Sequence, residues 1–576
     1  MEDKKYLNCP RSQLVRDNYL ILNGTWDFIF DKENKGESLN YQNGFKKEYD
    51  ILVPFTYQTK MSGIGITERC DYVWYQRKFS IKKEQDKKYL LHLEGADYVH
   101  KVFLNEQFVG SDRGAYHRHT YDLTSQLKDG DNLLVIKCED DYSVEKPRGK
   151  QRSRDQNYEC WYVDTTGLYK SVWLEVVNET HLDHVKMTPF LNEKKICFDL
   201  VIQGSNTSAF EVNLIENSQV LEVFSQKIDK NEQSCCFEIK HQIEPWSVEN
   251  PKLYELELLL KNKQGEIIDK VYSYVGFRHI EAKDGFIYLN GQKLYQKLVL
   301  DQGYWKDSSL TPPTIEALKE DIVLMKEFGF NGCRKHEKTE DERFLFYCDY
   351  LGYLLWEELP SFYKFSEESK KNYFYELPFV LRDNYNHPCI ITWTLFNESW
   401  GVNQILNDKE QQDFVNEMYH FVKKYDPYRF AITNDGWVHT LSDIITIHHY
   451  CQDGDKLYSF YKDKELTMTQ EVWTEHHNGA FAKGYKYNGQ PVIISEFGGT
   501  AFIKNTHDGN WGYGVGVKDD KEYVERLTSL FKGIQKIDYV SGYCYTQVSD
   551  VEQEVNGLLN HDHKPKIDPQ LLKKVK

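Results

Sequence analysis

Residues 389–401 read Cys-Ile-Ile-Thr-Trp-Thr-Leu-Phe-Asn-Glu-Ser-Trp-Gly, from Cys389 to Gly401. Ile390, Ile391, Trp393, Leu395 and Phe396 make a nearly continuous apolar run, the pattern of a strand covered on both faces in a parallel sheet. The run delivers Asn397 and Glu398 to the strand's C-terminal end, where a β/α barrel places its chemistry. A later stretch repeats the design. Pro491-Val-Ile-Ile-Ser-Glu-Phe-Gly-Gly499 carries Glu496 out of a second apolar run.

Around these two stretches, strands and helices alternate from about residue 277 to the last residue, 576. Ile315, Leu318, Ile322, Met325 and Phe328 fall at helical spacing, entered through Pro312-Pro313 and closed by Gly329. Phe414, Met418, Phe421, Val422 and Tyr425 mark another helix, ended by Asp426-Pro427. Between helices lie candidate strands at Leu294–Asp301, Gly332–His336, Tyr353–Glu358, Ile390–Glu398, Phe430–Asn434, Ile444–His449, Val492–Glu496 and Val540–Tyr545. That number of strands in about 300 residues predicts an α/β TIM (β/α)8 barrel. Glu398 ends its fourth strand and Glu496 its seventh.

Upstream the texture is all-β. Residues 1–178 carry short runs such as Tyr89-Leu-Leu-His-Leu93 and Leu133-Leu-Val-Ile136, the latter after an Asp129-Gly130 turn. A jelly-roll sandwich is expected there. Residues 179–276 have shorter, more polar strands, as in Ile196–Ile202 and Leu253–Leu259, which fit an immunoglobulin-like sandwich. The 576 residues exceed what one core organises, in keeping with several domains.

Composition excludes some functions. A formal net charge of -17 gives no basic face for nucleic acid and no attraction to an anionic membrane. No apolar run is long enough to span a bilayer, and Met1-Glu-Asp-Lys-Lys-Tyr6 lacks a signal-peptide core. The 12 Cys are scattered without a C-x-x-C pair, the closest being Cys235-Cys236. Neither zinc nor a disulfide framework is suggested, so reduced cysteines and a cytoplasmic location are expected. Aromatics reach 15%, which β-rich domains absorb as ordinary strand residues.

Two carboxyl groups flanking one bond are the requirement of glycoside hydrolysis, and in a retaining enzyme they stand about 5–5.5 Å apart. A neighbouring Asn holds a sugar hydroxyl in bonds that strengthen in the transition state. A Glu is ordinarily a solvated surface residue. Glu398 and Glu496 instead end apolar strands that have no other use for a charge.

Motifs along nearly the whole chain resemble glycoside hydrolase family 2, the family of β-galactosidases, β-glucuronidases and β-mannosidases. They are Leu22-Asn-Gly-Thr-Trp-Asp-Phe28, Trp74-Tyr-Gln-Arg-Lys-Phe79, Gly167-Leu-Tyr-Lys-Ser-Val-Trp-Leu-Glu175 and Trp246-Ser-Val-Glu-Asn-Pro-Lys-Leu-Tyr254. In the barrel region Asn331-Gly-Cys-Arg334, Asn397-Glu-Ser399 and Ser495-Glu-Phe-Gly498 follow in order. The resemblance implies Glu398 as acid/base, Glu496 as nucleophile and Asn397 as holder of the sugar 2-hydroxyl. It also implies Arg334 as the group keeping the nucleophile ionised, Tyr450 as its hydrogen-bond donor, and Tyr545 where the family places a tryptophan platform. His448, His449 and His336 have two readings, as sugar-hydroxyl contacts or as satisfied barrel-rim histidines, and His449 is taken as a sugar contact.

Departures from the family pattern bear on substrate. Where many members carry Arg-His-Glu, this chain has Leu300-Asp301-Gln302-Gly303-Tyr304-Trp305, so Asp301 and Trp305 are read as pocket residues. Glu554-Val555-Asn556 stands where β-glucuronidases carry Asn-x-Lys to grip a carboxylate. An acidic residue there repels a uronate, with Lys564 and Lys566 further on. Glu357 and Glu358 lack the following His of the magnesium site found in the best-known β-galactosidases, so no metal and no cofactor is expected. The reading is a retaining exo-β-glycosidase acting on a small glycoside or oligosaccharide, β-galactosidase first, with β-glucuronidase or β-galacturonidase as the alternative. A carbohydrate-binding protein on a lapsed hydrolase fold is the alternative of another class. A homo-oligomer packed through the β domains is compatible with the sequence.

Overall fold

The computed structural model describes residues 3–469, 479–502 and 509–575. Its centre is one eight-stranded parallel sheet. The strands are β1 (Gln296–Asp301), β2 (Gly332–Lys335), β3 (Leu354–Glu358), β4 (Ile390–Thr394), β5 (Phe430–Ile432), β6 (Ile445–His449), β7 (Val492–Gly498) and β8 (Val540–Thr546). Their ladder order is β5-β4-β3-β2-β1-β8-β7-β6, a cylinder whose ladder stays open only between β5 and β6. A backbone hydrogen bond crosses that seam, from His448 N–H to Gly436 O at 3.2 Å. All eight strands expected from the sequence are present. The fourth is shorter than expected: pairing stops at Thr394, and Leu395 N–H bonds to Ile432 O as the chain leaves the sheet.

The helices begin where the sequence supplies caps. Thr314 accepts from Ala317 N–H at the start of α1 (Ile315–Glu327), and Asp341 from Arg343 N–H at the start of α2 (Glu342–Leu351). Ser366 and Asp408 do the same for α3 (Glu367–Asn384) and α4 (Lys409–Tyr425). Asp426-Pro427 stops α4, because proline disfavours the helical conformation of the residue before it. Two further helices used below are α5 (Gly454–Tyr461) and α6 (Asp520–Gln535). No helix among the described residues is long and apolar enough to cross a membrane.

Two antiparallel sandwiches precede the barrel. The first packs a four-stranded sheet on a six-stranded one around Trp26, Phe28, Tyr75, Leu91 and Ile136, with strands between Tyr19 and Asn178. The second packs three strands on four around Phe198, Phe210, Val212, Leu256 and Val271, between His181 and Val275. Buried charges join the parts. Arg16 binds Glu175 at 2.6 Å and Asp269 at 2.8 Å, and Arg118 reaches Glu94 at 2.8 Å and Glu342 of α2 at 2.6 Å.

The cysteines correct one expectation. Cys197 and Cys236 form a disulfide. They are directly opposed partners on adjacent antiparallel strands, Lys195–Gln203 and Glu232–Glu238. Sequence spacing hid the pair, because strand register and not proximity along the chain brings the sulfurs together.

Candidate active site

The turn after β4 holds its backbone in an unusual conformation. Glu398 and Ser399 have φ of 49° and 59°, values that cost non-glycine residues free energy and persist where surroundings enforce them. Here the turn leading out of β5 does so. Glu398 N–H donates to Asp435 O at 3.0 Å, Asp435 N–H to Phe396 O at 2.7 Å, and Ser399 N–H to Asn434 Oδ1 at 2.8 Å.

Glu496 lies in β7, facing into the barrel with Arg334 from β2. Arg334 is fully buried; Nη1 donates to Glu496 Oε1 at 3.1 Å and lies 2.8 Å from Asp435 Oδ2, while Nε donates to Glu358 Oε1 at 2.6 Å. Tyr450 donates its hydroxyl to Glu496 Oε2. His448 joins the two halves: Nδ1 is 2.7 Å from Glu398 Oε1 and Nε2 is 2.7 Å from Asp435 Oδ2. Carboxylate oxygens of Glu398 and Glu496 and a ring nitrogen of His448 all lie within 4.8 Å of one another. These groups are engaged with one another and with Arg334 and Tyr450.

Burial works against every charge in this cluster, and partners decide the outcome. It would depress His448, but the Glu496 and Asp435 carboxylates and the bonds to Asp435 and Glu398 hold the imidazolium up to about 10. It would raise Glu398, yet the His448 hydrogen bond and charge leave that carboxyl below its ordinary range. Asp435 is held well below, against burial, by Arg334 and His448. The resting site therefore stores its proton on His448, one hydrogen bond from Glu398.

The other expected residues divide by the side of the strand they occupy. Asn397 is inward: Oδ1 accepts from Arg334 Nη2 at 3.3 Å, and its buried Nδ2 has no protein partner. His449 alternates outward from His448 and meets Tyr461 of α5 at 2.7 Å, so it is not a sugar contact in this arrangement. Tyr545 is likewise outward, packed on Phe497 and Phe531 between β8 and α6. Asp301 sits behind the barrel wall, bonded to Lys335 Nζ at 2.6 Å and Gly303 N–H at 2.8 Å. Trp305 stacks on His563 in a separate cleft of about 650 Å³ with Asp321 and Pro313. That cleft is larger than the one of about 420 Å³ beside Glu398, lined by Tyr363, Trp400, Asn403 and Trp437. The smaller cleft is the one that Glu398 lines.

Several groups went unread in the sequence. Asp435 had a faint signal, directly following the fifth candidate strand. Glu358 was weighed only as a metal ligand, whereas it binds Arg334 and, at 2.7 Å, His336. Lys150, Cys160 and Tyr162 come from the first sandwich, where nothing in the sequence ties them to a barrel mouth. Tyr162 donates to Glu554 Oε2 at 2.5 Å, and Asn556 to Glu554 Oε1 at 2.9 Å. Lys150 is buried with its Nζ 4.4 Å from the Trp400 ring, close enough for Glu554, Glu496 and Glu398 to favour its charge over the cost of burial. Lys566 is committed to Asp550 at 2.6 Å, and Lys564 is exposed.

Comparison with known proteins follows the same three parts. Residues 280–576 match the model of the glycosyl hydrolases family 2 TIM barrel domain. Residues 54–172 match the glycosyl hydrolase 2 galactose-binding domain-like model, and 180–278 a further glycosyl hydrolases family 2 model. A putative beta-glucuronidase of Formosa agariphila is 30% identical over 369 residues, covering 62% of this chain and 44% of that protein. A beta-galactosidase of Thermoanaerobacter pseudethanolicus is 27% identical over 431 residues, 70% of this chain and 54% of its own. The chain thus spans about half the length of the curated relatives it matches. A GH2 beta-galacturonidase from Eisenbergiella tayi superposes with TM-score 0.74 at 20% identity, covering 98% of this chain and 96% of the other. The b-glucuronidase from Ruminococcus gnavus gives TM-score 0.79 at 18% identity, with 97% of each chain covered. At such identities these two structures share the fold.

Proposed function

Because this chain belongs to glycoside hydrolase family 2, we propose that it is a retaining exo-β-glycosidase whose substrate is a β-galactoside. The observation that carries the mechanism is the separation of the carboxylates: oxygens of Glu398 and Glu496 within 4.8 Å. An inverting enzyme leaves about 6.5–9.5 Å for a water between its carboxyl groups, so the short approach of these oxygens supports the retaining course. Glu496 attacks the anomeric carbon as the exocyclic C–O bond breaks. Glu398 passes the proton it shares with His448 to the departing oxygen. Glu398 then takes a proton from water, whose oxygen displaces Glu496 and restores both groups. Asn397 Nδ2 supplies a donor for the sugar 2-hydroxyl, and Tyr450 with Arg334 orients the nucleophile. The residue division adopted is 1–178, 179–276 and 277–576, with the barrel as the catalytic part.

A neutral sugar is favoured by Glu554, an acceptor beside the site that suits hydroxyls and opposes a carboxylate, and by Lys566 being occupied by Asp550. Beta-galactosidases recur among the relatives. One observation supports a second reading, a β-uronide: the buried Lys150 ammonium lies 4.4 Å from the ring of Trp400, which lines the cleft beside Glu398. A purified-protein screen of aryl β-galactoside, β-glucuronide, β-galacturonide, β-mannoside and α-arabinopyranoside separates the two. The expected result is fastest turnover of the galactoside. Dominant uronide hydrolysis that Lys150→Met removes selectively establishes the second reading instead. Saturable binding with no turnover of any glycoside points to a lapsed hydrolase.

A further inference from the structure

Far from the carboxylate pair, the first sandwich meets α3 of the barrel through a cluster of histidines. Asp112 ends the strand Gln107–Arg113, and His119 opens the strand His119–Asp122. The loop between them carries His117. His100, cross-strand partner of Asp112, lies behind. The rings of His100 and His117 stand 4.3 and 4.2 Å from that of His119. His117 also stacks on Phe379 of α3 at 4.6 Å. Three buried imidazoles and a partly exposed carboxylate thus lie together.

Their hydrogen bonds leave a gap in the bonding. His119 Nε2 lies 2.9 Å from the Gly114 carbonyl, which accepts only from N–H, so Nε2 carries the ring proton. With Nε2–H committed to Gly114, Nδ1 faces Asp112 Oδ2 across 3.1 Å, a contact that either a second ring proton or a cation completes. Asp112 Oδ1 accepts elsewhere, from the Tyr375 hydroxyl at 2.5 Å and Arg113 N–H at 2.8 Å. His117 is 3% exposed and neither of its ring nitrogens has a partner. A buried polar group in that state has lost its water without gaining a partner. One donor atom from each of Asp112, His117 and His119 lies within 4.8 Å of the others. A single positive centre among them gives Asp112, His119 and one ring nitrogen of His117 a common partner.

We propose that Asp112, His117 and His119 bind a divalent cation of the zinc class, at the junction of the first sandwich and the barrel. Two imidazoles and one carboxylate form the nitrogen–oxygen donor set that zinc accepts, with water in the fourth position. Groups that orient such ligands are in place on two of them: the Gly114 carbonyl on His119 and the Tyr375 hydroxyl on Asp112. The Asp112 side chain keeps 29% of its surface exposed, which gives the ion a way in. Because Tyr375 belongs to α3, the ion ties the 114–118 loop to the barrel.

The test uses the full chain, stripped with EDTA and titrated calorimetrically with Zn²⁺ and, separately, Mg²⁺. The expected result is one Zn²⁺ per chain, at least tenfold weaker binding in both His117→Ala and Asp112→Asn, no comparable Mg²⁺ site, and a higher melting temperature on Zn²⁺ addition. Co²⁺ gives a second readout, a visible d–d band lost in the near-isosteric Asp112→Asn. Circular dichroism verifies that each variant is folded. No saturable Zn²⁺ binding to the parent chain leaves a proton between His119 and Asp112 and overturns the proposal. So does binding that survives in His117→Ala and disappears in Glu398→Gln, which places the ion at the carboxylate pair.

Discussion

His448 holds two carboxylates with one ring, and its neighbour His449 holds neither. The sequence, Ile444-Ile-Thr-Ile-His-His449, does not say which faces inward. A register irregularity between Ile447 and His448 resets the strand's alternation, so parity counted along the run has no authority there. Glu398 and Glu496 drew attention for the opposite reason: each follows a largely apolar run, and the structure brings their carboxylates together. Tyr545 and Asp301 misled because their strand positions are right and their faces wrong. Two outcomes follow at this scale. Tyr450→Phe removes a hydrogen bond to a charged group, about 1.5–3 kcal/mol. It should lower kcat/KM by roughly 10- to 100-fold with the melting temperature nearly unchanged, as steady-state kinetics and calorimetry will measure. The pKa of His448 in the fold, about 10, lies above the ordinary imidazole value of about 6.5. Its contribution to stability is therefore full below about pH 6.5 and is lost as pH rises through 10. In His448→Asn the fall in melting temperature between pH 7 and 10 should be shallower than in the parent; parallel curves contradict this account of the ring.

At the scale of elements, periodicity located all eight barrel strands, but their ends were set by partners the sequence does not name. β4 stops at Thr394 because Asn397 and Glu398 bond to the turn carrying Asp435, which lets Glu398 reach forward from the strand. The second sandwich makes the same point through Cys197 and Cys236, paired by register across a separation of 39 residues. Closing a loop of that length stabilises a fold by roughly 2–4 kcal/mol, chiefly by restricting the unfolded chain. Cys197→Ser should lower the urea midpoint of the second sandwich's transition to the value that reductant gives the parent. A transition unchanged by either treatment shows that the bond contributes nothing.

As a whole, the molecule is a barrel whose site is finished from outside it. Tyr162 and Lys150 cross from the first sandwich to the barrel mouth, and Arg118 bridges Glu94 and Glu342 beneath them. Three domains were legible from texture alone, whereas their contacts were not, since contacts between domains leave no periodic trace in either partner. Breaking a buried ion pair by removing one member costs about 3–5 kcal/mol. Arg118→Ala should destabilise the chain by that order in denaturant melts while leaving an isolated sandwich far less affected. The central claim, that Glu496 and Glu398 act on opposite faces of one anomeric carbon, is tested most directly by azide rescue. Glu496→Ala should lose at least about 10⁴-fold in turnover and, with azide, yield the α-glycosyl azide from an activated β-glycoside. Glu398→Ala should yield the β-glycosyl azide. Exchanged anomers, or the same anomer from both variants, would contradict the assignment.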